Sequence, residues 1–165
     1  MGFKVFFEMA EIPADQRRQE TELERYDRNL TEMMGELRVA LPGVQVLFAF
    51  LLVVPFNQRF STVSNFERDL YFATLLLTLL ASTLLIAPTV LHRIQFRRGQ
   101  KAYVVLTSNR LVIAGLAVLA VALTAAVALI THFLLGQTAT IVTTVVVAIV
   151  LGGVWFAFPL SRRVG

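Results

Sequence analysis

Three long stretches of this 165-residue chain contain no Asp, Glu, Lys or Arg, and they constrain its fold more than any other feature. They cover residues 39–58, 70–92 and 111–161, with lengths of 20, 23 and 51 residues. The hydrocarbon core of a bilayer is about 30 Å thick, and about 20 helical residues cross it. The first two stretches therefore predict one transmembrane helix each, and the third is long enough for two.

The turn between the last two helices is predicted at Gly136, because Gly136-Gln137-Thr138 is the least apolar point of the third stretch. Glycine favours the backbone conformations that end a helix. Backbone polar groups inside lipid must be bonded internally, so the spans are expected to be helices. The predicted fold is an all-α, polytopic membrane protein with a transmembrane domain over residues 39–160. Its four spans are expected at about residues 40–57, 70–91, 111–135 and 138–160.

The distribution of basic residues predicts the orientation of these helices. Thirteen of the 15 Lys and Arg residues lie in the N-terminal segment, in the loop between the second and third spans, or in the tail. Only Arg59 and Arg68 lie in the loop after the first span. Basic loops stay on the cytoplasmic side of a membrane. We therefore expect both termini in the cytoplasm, and the protein in the bacterial cytoplasmic membrane.

A helix is also predicted ahead of the first span, over residues 21–38. Thr21-x-x-Glu24 has the pattern of a capping box, in which the Thr hydroxyl and the Glu carboxylate each accept a hydrogen bond from the other residue's backbone N–H. We interpret residues 21–38 as an amphipathic cytoplasmic helix, and Pro42-Gly43 follows it at the predicted membrane boundary, where a bend costs little. Residues 1–20 are expected to be a partly disordered extension, and residues 161–165 a basic cytoplasmic tail.

One apolar seam runs along this predicted helix, with spacings of three and four residues. Its members include Leu23, Leu30 and Leu37. Nine of the 11 acidic residues precede Leu37, whereas the loop after the second span is basic. We therefore expect the helix to dock on that loop, near Arg97, Arg98 and Lys101. A homotypic coiled coil and adsorption to the lipid surface are the alternatives.

The sequence contains no recognisable catalytic or metal-binding pattern. It has no Cys, and its two histidines are predicted on opposite sides of the membrane. His132 has no acidic residue near it unless Glu67 or Asp69 approaches from the other loop. Phosphate-binding, dinucleotide-binding and zinc-protease motifs are absent. We therefore expect no enzymatic activity, no cofactor, no metal and no nucleic-acid partner.

Two features of the spans remain as candidates for function. Thr74, Thr78 and Ser82 form a hydroxyl stripe on the second span, which would line a pore in an oligomer or bond its own helix backbone. Small residues four positions apart favour close helix contacts in membranes. The candidate pairs are Ala122 with Ala126 and Ala148 with Gly152.

Several short motifs also resemble those of a family of small actinobacterial integral membrane proteins, classed as a domain of unknown function. The motifs are Glu36-Leu37-Arg38, Gly43-Val44-Gln45, Pro55-Phe56-Asn57-Gln58-Arg59-Phe60, Ala87-Pro88, His92-Arg93, Phe96-Arg97-Arg98-Gly99 and Asn109-Arg110. They lie between about Asp27 and Leu160. The resemblance implies a four-helix membrane protein and supplies no activity, substrate or site.

Two hypotheses about function follow. The first is a membrane interaction or structural protein, either a homo-oligomer or an accessory subunit of a larger membrane complex. The second is an oligomeric channel or passive transporter lined by the Thr and Ser stripes. In both, the lipid bilayer is the surrounding partner, and no small-molecule substrate can be assigned.

Overall fold

The computed structural model describes residues 21–95 and 101–161, without the side chain of Leu23. The described part is helical, with no strand. The N-terminal extension, Arg97, Arg98 and residues 162–165 of the predicted tail lie outside the described residues. Four helices in this part are long and apolar enough to cross a membrane: Glu24–Phe56, Asn65–Gln95, Lys101–Leu135 and Gln137–Ser161.

The first helix, α1, covers Glu22–Val53 without interruption. The predicted capping box is confirmed: Thr21 Oγ1 accepts from Glu24 N at 3.3 Å, and Glu24 Oε2 accepts from Thr21 N at 2.8 Å. The predicted helix at 21–38 and the predicted span at 40–57 are parts of this one helix, which continues through Pro42. Proline removes one backbone hydrogen bond inside a helix. Leu37 and Val44 lie one heptad apart on the two sides of Pro42 and belong to one core cluster, so tertiary packing keeps the helix continuous.

The second and third helices, α2 and α3, form the centre of the molecule. Two short 3-10 turns, Val54–Phe56 and Gln58–Thr62, lead from α1 to α2, which covers Asn65–Gln95. Helix α3 covers Lys101–Leu135. The predicted spans at 70–91 and 111–135 lie within these helices. Each helix also includes polar residues beyond its predicted span. They pack against each other more extensively than any other pair of helices in the described chain.

The chain then turns at Gly136, which confirms the predicted turn. Its φ of 80° lies in the region that favours glycine. The fourth helix, α4, covers Gln137–Gly152, passes through a π-helical turn at Gly153–Ala157 and ends with Phe158–Ser161. We call the end of the bundle with Gly136 and the 54–64 connection the Gly136 end, and the opposite end the Lys101 end.

The core lies between α1, α2 and α3. Helix α1 contacts both α2 and α3, whereas α4 packs beside α3. The buried apolar cluster combines residues from the first three helices: Met33, Leu37, Val44, Ala81, Leu85, Val112 and Leu119. Trp155, in the π-helical turn of α4, packs against this cluster. No residue of α4 itself is buried in the described chain.

Candidate functional site

A buried carboxylate marks the Gly136 end of the bundle. Glu67 lies in the first turn of α2 and is 9% exposed. Its Oε2 accepts hydrogen bonds from Ser64 N at 2.8 Å and from Ser64 Oγ at 2.9 Å. Ser64 Oγ in turn accepts from Glu67 N at 3.2 Å. Ser64 and Glu67 thus form a second capping box, which the sequence analysis did not identify although Ser64-x-x-Glu67 has the required spacing.

His132 approaches the other oxygen of this carboxylate. Its Nδ1 lies 3.2 Å from Glu67 Oε1, and its ring centroid lies 5.1 Å from that of Phe66. His132 is in the last turn of α3, so the contact joins the end of α3 to the start of α2. The sequence left open whether an acid from the other loop reaches His132, and the structure identifies that acid as Glu67.

This cluster does not have the geometry of a serine nucleophile activated by histidine. In such a site the serine hydroxyl bonds to the histidine, and the acid orients the far side of the ring. Here the Ser64 hydroxyl and the His132 ring both contact Glu67, so the carboxylate is central. Within residues 21–95 and 101–161, no three His, Asp or Glu residues converge as metal ligands. The arrangement is suited to holding α2 and α3 together.

A cavity of about 390 Å³ lies beside this cluster, and we call it the Tyr71 cavity. Its polar lining residues are Asn57, Arg59, Glu67 and Tyr71. Its apolar lining comes from the 54–64 connection and from α3: Val54, Phe60, Val63, Leu129, Ile130, Phe133 and Leu134. The cavity is therefore bounded by segments that are far apart in sequence, and no single motif predicts it.

Tyr71 fixes the wall of the cavity between α1 and α2. Its hydroxyl donates to the carbonyl oxygen of Leu51 at 2.9 Å. The ring of Phe60 packs edge-on against the ring of Tyr71, with centroids 5.2 Å apart. Asn57 Oδ1 accepts from Arg59 N at 3.0 Å and shapes the turn that carries Arg59. In the described part of the chain, no carboxylate forms an ion pair with the Arg59 guanidinium.

A second, shallower groove lies nearer the Lys101 end, with a volume of about 490 Å³. It is formed by α2 and α3, from Thr83 to Ile94 and at Thr107 and Leu111. Its lining contains two threonines and no charged residue. It offers little for specific recognition of a polar ligand.

The predicted hydroxyl stripe lies mostly inside the chain. Thr74 and Thr78 are fully buried, and Ser82 is half-buried. Each hydroxyl donates to the carbonyl four residues earlier in α2, at 2.7–2.9 Å. The three hydroxyls thus bond the backbone of their own helix, which was one of the two interpretations of the stripe. Because Thr74 and Thr78 are buried within the chain, they are poorly placed to line a pore between chains.

The predicted small-residue pairs have different surroundings. Ala122 and Ala126 of α3 are buried, at 0% and 9% exposure. Ala148 of α4 is exposed, and a Cβ added at Gly152 would meet nothing within 4 Å. Among the described residues, Gly152 therefore makes no close helix contact.

A close contact between α2 and α3 involves a glycine that the sequence analysis missed. A Cβ added at Gly115 would lie 2.9 Å from Cγ and Cδ2 of Leu85 and 3.2 Å from Cβ of Leu84. Gly115 is the only glycine of α3, and it lies seven residues before Ala122 on the same face. It is the only glycine between Gly99 and Gly136, and that is the signal that would have identified it.

The predicted docking residues are distributed along α1 and the start of α3. Leu37 is 3% exposed, whereas Leu30 is half-buried. Lys101 Nζ lies 2.7 Å from Asp27 Oδ2, which joins the two helices at the Lys101 end. The side chain of Leu23 and residues Arg97 and Arg98 fall outside the described part.

The comparisons with known proteins give one match. No curated protein matches the chain, and no solved structure matches it. Residues 19–159 match the family of unknown function DUF6328, a range that includes the first three long helices and all but the last two residues of the fourth. The chain therefore belongs to the family of unknown function DUF6328.

Proposed function

We propose that the protein is an assembly component of the bacterial cytoplasmic membrane, with both termini in the cytoplasm. In this proposal α4 is the contact surface, either for another copy of the chain in a homo-oligomer or for another subunit of a larger membrane complex. The observation that carries the proposal is that α4 packs beside α3 and contributes no buried residue in the described chain.

Exposed apolar side chains alone do not indicate a partner, since lipid covers them equally well. The small residues of α4 are more informative. Ala148 is exposed, and Gly152 and Gly153 have open space where a side chain would be. Small residues at a helix surface let a second backbone approach closely, whereas against lipid they lose van der Waals contacts. This face therefore favours a protein neighbour.

The proposal includes no catalytic role. Ser64 is engaged with Glu67 through both donors, and His132 contacts the same carboxylate. A channel is not favoured either, because the buried hydroxyls of Thr74 and Thr78 are bonded within α2. The proposed activity is thus association within the membrane.

The test is cysteine cross-linking in native membranes, which is clean because the natural chain has no Cys. Ala148→Cys is expected to give a specific cross-linked dimer or a cross-link to one stoichiometric partner. Val46→Cys, at an exposed position of α1, is the matched control and is expected to give little product. Equal cross-linking at both positions, or none at Ala148→Cys, would contradict the assignment of α4. Ion or solute flux through the reconstituted protein would support the channel instead.

The orientation is tested with the same cysteine-free background. Ser61→Cys and Glu22→Cys are both exposed, and neither side chain belongs to a capping box. An impermeant thiol reagent added to intact cells is expected to label Ser61→Cys but not Glu22→Cys. Reversed labelling would place the termini outside.

A further inference from the structure

We propose that the Tyr71 cavity is a binding site for a membrane lipid with an anionic headgroup. One acyl chain would occupy the cavity, and Arg59 would contact the phosphate of the headgroup. This inference is independent of the proposed role of α4, because the cavity is built from α1, α2, α3 and the 54–64 connection.

The walls of the cavity match a hydrocarbon chain. Much of the lining consists of four apolar side chains, those of Phe60, Leu129, Ile130 and Phe133. A volume of about 390 Å³ lies within the range of about 300–1,000 Å³ that is common for ligand pockets. Water in such a space would find few hydrogen-bond partners, so replacing it with an apolar chain is favourable.

The polar groups around the cavity select the charge of the ligand. Both oxygens of Glu67 already accept hydrogen bonds or contact His132, and the Tyr71 hydroxyl donates to Leu51. The guanidinium of Arg59 has no acidic partner in the described residues. A guanidinium binds phosphate oxygens through charge-assisted hydrogen bonds. The open recognition group is thus a cation, which favours an anionic headgroup over a cationic one.

The position of the cavity along the bundle fits the same ligand. Arg59 follows the end of α1, and the cavity continues between Tyr71 of α2 and the apolar end of α3. At the end of a membrane-spanning helix, lipid headgroups and acyl chains meet. A lipid there can present its phosphate to Arg59 and its chain to Leu129 and Phe133.

The first experiment compares two lipids with identical short acyl chains. Purified protein in mild detergent is titrated with phosphatidylglycerol or with phosphatidylcholine, and bound lipid is counted by native mass spectrometry. We expect one tightly bound phosphatidylglycerol and about tenfold weaker binding of phosphatidylcholine, because the choline cation beside the same phosphate offsets its attraction to Arg59. Equal affinity for the two lipids would overturn the headgroup assignment.

Arg59→Gln is the decisive variant, and Arg68→Gln is its matched control. Both remove one positive charge from an exposed arginine near the start of α2, but only Arg59 lines the cavity. Arg59→Gln is expected to lower the phosphatidylglycerol affinity about tenfold, to the level of phosphatidylcholine, whereas Arg68→Gln keeps the preference. Equal losses in the two variants would show a general charge effect and contradict the site.

Filling the cavity tests the acyl-chain part of the proposal. Leu129→Trp is expected to abolish tight binding of both lipids, and Ile141→Trp, on the exposed surface of α4, is expected to leave it unchanged. If Leu129→Trp does not fold, Ile130→Trp serves instead, because Ile130 is 58% exposed and tolerates a larger side chain. Full binding in a folded, filled variant would overturn the proposal. Competition by inorganic phosphate as effective as by the lipid would also overturn it, because an acyl chain would then be unnecessary.

Discussion

Helices α3 and α4 have similarly apolar sequences but opposite surroundings. Helix α3 packs against α1, α2 and α4, and it buries residues along its whole length from Val104 to Thr131. Helix α4 packs beside α3 and buries none in the described chain. Hydrophobicity therefore does not distinguish the interior helix of this bundle from the peripheral one. The two helices differ in whether their small residues lie against another helix of the described chain.

The α2–α3 pair shows how that distinction arises. Gly115 lies against Leu85, and His132 lies against Glu67, so the antiparallel register is fixed at both contacts. Gly152 in α4 has no such neighbour in the part of the chain that the structure describes. A glycine in α3 thus has a packing role inside the chain, whereas a glycine in α4 is available to something outside it.

The largest expected effect comes from truncating a large side chain in each environment. Leu85 is fully buried and Ile149 is 67% exposed. We expect Leu85→Ala to reduce the free energy of unfolding by about 3 kcal/mol, within the range for buried Leu→Ala changes. Ile149→Ala is expected to change it by less than about 0.5 kcal/mol. Thermal or denaturant unfolding in mild detergent measures both, and equal losses would remove the contrast between interior and periphery.

The next experiment adds a side chain at Gly115 and at Gly152, where the previous one removed side-chain atoms. Gly115→Val would place atoms within 3 Å of Leu85, which is itself buried, so we expect a loss of about 2 kcal/mol from overpacking. Gly152→Val meets open space and is expected to leave the unfolding of the single chain nearly unchanged.

The second readout for the glycine variants is association. Gly152→Val is expected to reduce the Ala148→Cys cross-link, because its side chain would separate α4 from a neighbouring helix. Gly115→Ala serves as the milder control for overpacking. A stability loss in Gly152→Val as large as that in Gly115→Val would show that α4 packs within the chain.

Local features of this fold could be predicted from the sequence, because their causes lie within a few residues. The charge-free stretches predict the four apolar helices, Thr21-x-x-Glu24 predicts the start of α1, and Gly136 predicts the turn before α4. In each case the cause is local: the hydrogen-bonding needs of the backbone, the conformational freedom of glycine, or a contact between residues three positions apart. Packing against neighbouring helices does not change these local causes.

Features that depend on packing between helices could not be predicted in the same way. Pro42 permits a bend, but α1 is one continuous helix whose residues Leu37 and Val44 belong to the same core cluster. Small residues were identified in α3 and α4, but the register that decides which of them meets a neighbour is absent from a single sequence. Glu67 and His132 lie 65 positions apart, so their contact and the adjoining cavity appear only in three dimensions.

The Glu67–His132 contact tests whether the α2–α3 pair is held at its Gly136 end. Glu67→Gln keeps the size of the side chain and its capping role but weakens the contact to His132, and His132→Phe removes that contact from the other side. A double-mutant cycle is expected to give a coupling free energy of about 1 kcal/mol, since contacts within one hydrogen-bonded network couple in this range. Additive losses would mean that Glu67 stabilises only the start of α2 through Ser64.

The smallest expected effect is at the opposite end, where Lys101 and Asp27 join α3 to α1. Their side chains are 48% and 56% exposed, so water and salt screen the 2.7 Å ion pair. Exposed pairs contribute about 0–1 kcal/mol. Lys101→Glu is therefore expected to lower stability by less than about 1 kcal/mol, and adding Asp27→Lys should restore most of the loss at low salt. The restoration should fade in high salt, because it depends on attraction between charges. A large, salt-independent loss would instead mean that the stem of Lys101 packs against α1, and the Lys101 end would then resemble the interior of the α2–α3 pair rather than a solvated edge.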